Sequence, residues 1–135
     1  MTVQLDHIVL NVENVASSLG FYVDILGLTP ERVQGYHAVK FLFPSVRINE
    51  HSLIDLLPPE LRESEPAPIP PAPNMDHFCL NLPTERWLSI VAGLDKHGIE
   101  IEAGPMTLWG AHGDATAVYI RDPDGNRVEL RHYES

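Results

Sequence analysis

The sequence predicts an α+β fold built from two βαβββ modules, and three observations predict it. LDHIVLNV, Leu5 to Val12, returns as MDHFCLNL, Met75 to Leu82, with Asp-His and the Asn four residues after the His in one register. Each copy is followed by a segment of helical spacing and then by short apolar runs. A proline-rich stretch separates the copies. A half this short cannot bury both faces of its own sheet. The two modules are therefore expected to pair into an incomplete barrel-like sheet around a metal site. The expected organisation of the 135 residues is one domain, with a module over 1–57, a linker over 58–73 and a module over 74–135.

The elements follow in order. Val3 to Val12 alternates, with Leu5, His7, Val9 and Asn11 on one face and Asp6, Ile8, Leu10 and Val12 on the other, which predicts a strand. ENVASSLGFYVDILGL places Val15, Leu19, Tyr22 and Leu26 near helical spacing; Asn14 is placed to cap this helix and Gly27 to stop it. Runs around Val33, around HAVKFLF and around VRINEHSLI read as three strands. Pro58 to Pro73 holds seven of the twelve prolines and reads as an extended linker. In the second module MDHFCLNL is a strand. TERWLSIVAGLDKHG is a helix capped by Thr84 and stopped by Gly98. IEIEAGPM, TAVYI and VELRHY are strands, with the RDPDGN turn before the last. Laying HAVKFLFPSVRIN against TAVYIRDPDGNRVE, with Gly125 as the extra residue, puts Asn49 opposite Glu129.

Composition narrows the function. With 19 acidic against 9 basic side chains the formal charge is −10, which argues against nucleic acid and anionic membrane surfaces as partners. No apolar run approaches the ~18 residues of a membrane span. A single cysteine, Cys79, rules out an internal disulfide and fits a reducing cytoplasmic setting, as does a start, MTVQLDH, without signal-peptide character.

The repeat also carries the chemistry. A lone strand histidine is usually a core or surface residue. Two in one register, His7 and His77, are expected at corresponding places in two paired modules. Glu129, between Val128 and Leu130, points away from their apolar face. Two imidazoles and a carboxylate from three strands make a ligand set for Fe2+, Mn2+, Ni2+ or Zn2+, leaving open positions for water and substrate. His51, two residues after Asn49 on the same expected strand face, is a fourth candidate, as a ligand or as a base. Asp55 is a weaker one further along. His112, in the glycine-bracketed WGAHGD loop, is a candidate substrate contact. Cys79 reads as a buried inert thiol, and Trp109, Phe41 and Tyr119 as pocket wall or core. Arg121 and Arg127 read as partners of nearby aspartates.

LDHIVLNV, FYVDILGL, MDHFCLNL, KHGIEIEAGP and YIRDPDGNRVEL together resemble the vicinal oxygen chelate superfamily, which includes glyoxalase I, extradiol dioxygenases and the fosfomycin- and bleomycin-resistance proteins. The resemblance spans both modules. It implies that His7, His77 and Glu129 bind a divalent metal and that His51 fills the remaining position. It further implies a small substrate that chelates the metal through two adjacent oxygens, with isomerase, lyase or ring-cleaving dioxygenase chemistry, and a homodimer. Glyoxalase I enzymes of this size bring a Glu from the first module, where this chain offers Asn49, His51 and Asp55. A non-catalytic drug- or metabolite-sequestering protein of the bleomycin-resistance type is the alternative; tight binding insensitive to EDTA would distinguish it.

Overall fold

The computed structural model describes residues 2–62 and 74–134, which fall in two compact units, Met1–Pro68 and Ile69–Ser135. Each unit carries one four-stranded mixed sheet with few helices, so the α+β class expected from the sequence is the class found. Neither sheet closes into a barrel.

The first unit runs β1 (His7–Asn11), α1 (Val15–Leu19), β2 (Thr29–Glu31), α2 (Val33–His37), β3 (Ser45–Arg47) and β4 (Leu53–Leu57), in the sheet order β1-β4-β3-β2. The Asn14 side chain accepts the Ser17 amide at 2.9 Å, so the expected cap of α1 is present. The helix continues through Gly20–Ile25 with π-type winding, and Gly27 turns the chain out of it at a φ of 77°. Leu10, Val12, Tyr22, Leu26, Val46, Ile54 and Leu56 are buried and make the core between helix and sheet. On β1 the alternate residues His7, Val9 and Asn11 are exposed, as period-two alternation requires.

The middle of this unit departs from the strands expected around Val33 and HAVKFLF. Val33–His37 is a helical turn, and residues 38–42 are turns and bends. Val39 and Leu42 stay exposed, so the apolar pattern that imitates a strand never buries a face. Arg32 and Val39 both sit at positive φ, 62° and 60°, which breaks an extended run on either side of α2. Of the expected proline-rich linker, Pro59–Leu61 forms a 3-10 turn, and residues 63–73 lie outside the described residues.

The second unit runs β5 (Phe78–Asn81), α3 (Thr84–Gly93), β6 (Ala103–Gly110), β7 (Gly113–Arg121) and β8 (Arg127–His132), in the order β5-β8-β7-β6. Helix α3 packs on β8 through Trp87, whose indole N–H donates to the Leu130 carbonyl at 2.8 Å. Leu80, Leu94, Val118, Ile120, Val128 and Leu130 complete the core. Thr84 is not the cap expected of it. It is the first helical residue, and its hydroxyl bonds to His132 Nδ1 at 3.1 Å and donates to the Tyr133 carbonyl at 3.3 Å. Gly98 ends the helical segment in the left-handed conformation, as expected. Among the described residues no helix is long and apolar enough to cross a membrane.

In both units the first strand lies parallel to the last. Val9 stands opposite Asp55, and Cys79 opposite Glu129. Since Val9 and Cys79 are each two residues after the repeated histidine, Asp55 and Glu129 hold equivalent positions. The expected pairing of Asn49 with Glu129 is therefore corrected. Asn49 instead begins the turn between β3 and β4, where its side chain accepts the amides of His51 and Ser52 at 2.8 and 3.0 Å. Asp122 does the same in the second unit, accepting the amides of Asp124 and Asn126 at 2.9 and 2.8 Å.

Candidate functional site

Period-two alternation decides which side chains of the second unit meet. His77, Cys79, Glu129 and Arg131 share the sheet face that α3 does not cover, while Leu80, Val128 and Leu130 face the helix. The His77 imidazole is held at both nitrogens: Nδ1 lies 2.6 Å from Asp76 Oδ2, and Nε2 lies 3.1 Å from Glu129 Oε1. Tyr119 meets the ring edge-on, with centroids 5.0 Å apart. Glu129 is 2% exposed and Arg131 6%. Arg131 donates to Glu129 Oε2 from both Nε (2.8 Å) and Nη2 (2.5 Å).

These contacts set the electrostatics. Burial pushes the Glu129 carboxyl up, but hydrogen bonds from Arg131, Cys79 and Tyr119 outweigh it and hold it below the ordinary carboxylate range. Burial and then the Glu129 carboxylate push the Cys79 thiol up to about 12. The residue as a whole is exposed while its sulfur lies in a part-buried contact 3.2 Å from Arg131 Nε, so the expected buried, inert thiol is met at the sulfur and not for the residue. Burial and the bond to Glu129 also raise the Tyr119 phenol.

A cavity of about 340 Å³ opens over this group, lined by His77, Cys79, Glu129 and Arg131 together with Trp109, His112 and other residues of the second unit. The β6–β7 hairpin forms one side of it. The His112 amide at the hairpin tip donates to the Tyr133 hydroxyl at 3.2 Å, and the two rings meet edge-on. Trp109 is 79% exposed, which makes it cavity wall and not core.

The first unit repeats the arrangement in a more open form. His7 Nδ1 lies 2.6 Å from Asp6 Oδ1, and its Nε2 lies 3.8 Å from Asp55 Oδ2. The Ser45 hydroxyl donates to Asp55 Oδ1 at 2.7 Å. Ser45 stands opposite Asp55 in the ladder, as Tyr119 stands opposite Glu129. Each unit thus sets an imidazole, a carboxylate and a hydroxyl on three neighbouring strands.

His51 is not on a strand face. It lies in the β3–β4 turn, exposed, with Nε2 3.0 Å from Glu50 Oε1. Asp55, the weaker expectation, occupies the place beside His7. Arg121 and Arg127 are drawn together by Glu102, at 2.5 and 2.9 Å, and Arg127 also forms an ion pair with an aspartate, Asp76, at 3.3 Å. Arg131 was not singled out from the sequence, although its position two residues beyond Glu129 on one strand is the signal that finds it.

Among the described residues no three His, Cys, Asp or Glu side chains form a metal-binding cluster; the donors come in pairs. The pairs nevertheless suit a cation. A neutral imidazole has one N–H, so a neutral ring between Asp76 and Glu129 would set one nitrogen lone pair against an oxygen. Either a second ring proton or a cation held at Nε2 would remove that conflict and leave Nδ1–H to donate to Asp76.

With this geometry in view, comparison with known proteins is informative. The family model described as Glyoxalase/Bleomycin resistance protein/Dioxygenase superfamily matches residues 4–130. Virulence protein STM3117 of Salmonella typhimurium is 30% identical over 130 residues, covering 96% of this chain and 84% of that one. Its crystal structure superposes with a TM-score of 0.71, 26% identity and 99% coverage of both chains. Biphenyl-2,3-diol 1,2-dioxygenase 3 of Rhodococcus globerulus is 32% identical over 139 residues, covering 97% of this chain and 64% of that protein. The crystal structure of a glyoxalase/dioxygenase from Nostoc punctiforme gives a TM-score of 0.75 at 25% identity, covering 98% of this chain and 92% of that one.

Proposed function

The chain belongs to the Glyoxalase/Bleomycin resistance protein/Dioxygenase superfamily, and on that premise we propose that it is a divalent-metal-dependent enzyme. Its substrate is a small molecule that offers the metal two adjacent oxygens. The reaction class is isomerase/lyase or ring-cleaving dioxygenase. The activity for which the 32%-identical Rhodococcus globerulus protein is named supports the second of these, and the carboxylate available in the first unit, Asp55, supports the proton transfers of the first.

The observation that carries the reading is the His77–Glu129 pair, 3.1 Å apart with the far imidazole nitrogen held by Asp76, and its counterpart His7–Asp55 with Asp6. We assign the metal donors as His77 and Glu129 in the second unit and His7 and Asp55 in the first. Asp55 replaces His51 in the assignment because it, and not His51, lies beside an imidazole. Imidazole together with carboxylate suits Fe2+, Mn2+, Ni2+ or Zn2+.

When bound, the ion supplies Lewis acidity to the substrate oxygens. The chain's own residues do the rest. Asp6 and Asp76 fix the imidazoles so that each Nε2 faces its carboxylate. Ser45 and Tyr119 hydrogen-bond those carboxylates and limit their rotation. Trp109 and His112 wall the cavity, where an apolar or aromatic part of the substrate packs. Cys79, protonated at neutral pH, is not a nucleophile here.

Metal analysis of protein purified without chelator tests the proposal. The expected result is stoichiometric divalent metal, lost from His77→Ala, Glu129→Gln and His7→Ala. Full metal content in those variants, or none in the unaltered protein, would overturn it.

A further inference from the structure

We propose that Arg131 is a positioning residue for Glu129, holding one carboxylate oxygen so that the other alone is presented to His77 Nε2. Where Glu129 serves as a metal donor, an assignment this inference deepens and in that part rests upon, Arg131 thereby makes it a one-oxygen ligand.

The geometry is specific. Both Arg131 donors to the carboxylate, Nε and Nη2, converge on Oε2, and Oε1 faces His77. A guanidinium free to choose would grip both oxygens in a fork. Arg131 is kept from doing so by its other bonds: Nη1 donates to the Tyr133 hydroxyl at 3.1 Å and Nη2 to the Trp109 carbonyl at 3.1 Å, while Nε also contacts Cys79 Sγ at 3.2 Å. The hairpin is shaped around it. A Cβ on Gly110 would lie 1.7 Å from Nη1 and 2.6 Å from the Tyr133 hydroxyl, so a side chain there would displace the Arg131 head from this position.

The duplicated fold supplies its own control. Arg131 stands opposite Asn81 in the β5–β8 ladder, and Leu57 stands opposite Asn11 in the β1–β4 ladder. The same place is thus filled by an apolar residue in the first unit. A sheet of this design does not need a cation there, and burying an ion pair is weak support for stability. What distinguishes the second unit is the carboxylate that Arg131 fixes. Asp55 instead has the Ser45 hydroxyl, and its oxygen stands 3.8 Å from His7 against 3.1 Å in the fixed pair.

The test uses the full 135-residue chain as R131L, which copies the first unit's residue, and as R131K, which keeps the charge but not the fork. The first readout is the long-range proton–nitrogen correlation of the His77 ring in EDTA-treated protein. The second is Co2+ affinity by titration, with H77A as the control. In R131L the His77 Nε2 resonance should move away from its wild-type position, and Co2+ should bind on the order of tenfold more weakly or worse. R131K should restore part of both. Should R131L fail to fold, R131K carries both readings, with smaller changes in the same directions. An unmoved His77 resonance together with wild-type Co2+ affinity in a folded R131 variant would overturn the proposal. If the unaltered protein binds no Co2+, the metal assignment falls, and the His77 resonance alone decides the role of Arg131.

Discussion

Asp55 and Glu129 hold the same register position in two separate sheets: each stands opposite the residue two beyond its unit's histidine. Each is hydrogen-bonded by a hydroxyl-bearing residue one strand further in, Ser45 and Tyr119 respectively. The equivalence is one of ladder position, and it gives each unit's histidine a carboxylate neighbour of its own.

The first prediction separates Asp55 from His51. Asp55→Asn should lower bound metal several-fold, whereas His51→Ala, in an exposed turn, should leave it unchanged. Elemental analysis of both variants checks this. The reverse pattern would favour His51 as the first unit's second donor.

A second concerns thiol chemistry. With its thiol pushed from the ordinary 9.0 to about 12, Cys79 holds about a thousandth of the thiolate of an unperturbed cysteine at neutral pH. Disulfide-exchange labelling at pH 7 should therefore be slow despite the exposed position. Labelling at the rate of free cysteine would contradict the combined effect of desolvation at the sulfur and the neighbouring Glu129 carboxylate.

Acid sensitivity gives a third. The Arg121 hydrogen bond, opposed by some desolvation and reinforced by Arg127, holds Glu102 below its ordinary 4.5. A depressed carboxyl contributes stability that is complete above 4.5 and is lost as pH falls through the lower folded value. Glu102→Gln should lower the melting temperature slightly at pH 7 and flatten its decline between about pH 5 and pH 3. Melting curves across that range decide the matter; an unchanged acid slope would count against it.

Packing supplies a fourth. Trp87→Phe removes the indole donor and leaves the buried Leu130 carbonyl without it, at a cost of about 1–3 kcal/mol. Denaturant unfolding measures the loss. The circular dichroism of the sheet should not change.

The sequence carried the outer parts of each module and lost the middle of the first. The Asp-His strands, the Asn14 cap, Gly27, Gly98 and the Asp122 turn were all legible, because each rests on a local rule of alternation, capping or turn chemistry. Residues 32–43 were not. Their alternating apolar residues mimic a half-buried strand, yet Val39 and Leu42 are left exposed, and positive φ at Arg32 and Val39 ends any extended run. The strands β2 and β3 are three residues each, against eight and nine for β6 and β7. That shortening is why alignment of the two halves by apolar pattern slipped and set Asn49, not Asp55, against Glu129. The histidines were found because repetition marks them. Arg131 escaped because nothing in its first-unit counterpart, Leu57, echoes it.

The parallel pairing of first and last strands has a bearing on biosynthesis. His77 and Glu129 are separated by 52 residues, and nothing shorter than a completed crossover brings them together. As the chain leaves the ribosome, each imidazole emerges long before its carboxylate does. If the proposed donors hold an ion, one captured early would find only half of them, and loading would await the closing strand of each unit. Metal occupancy in newly made protein would then be a readout of finished topology, and not a seed for it.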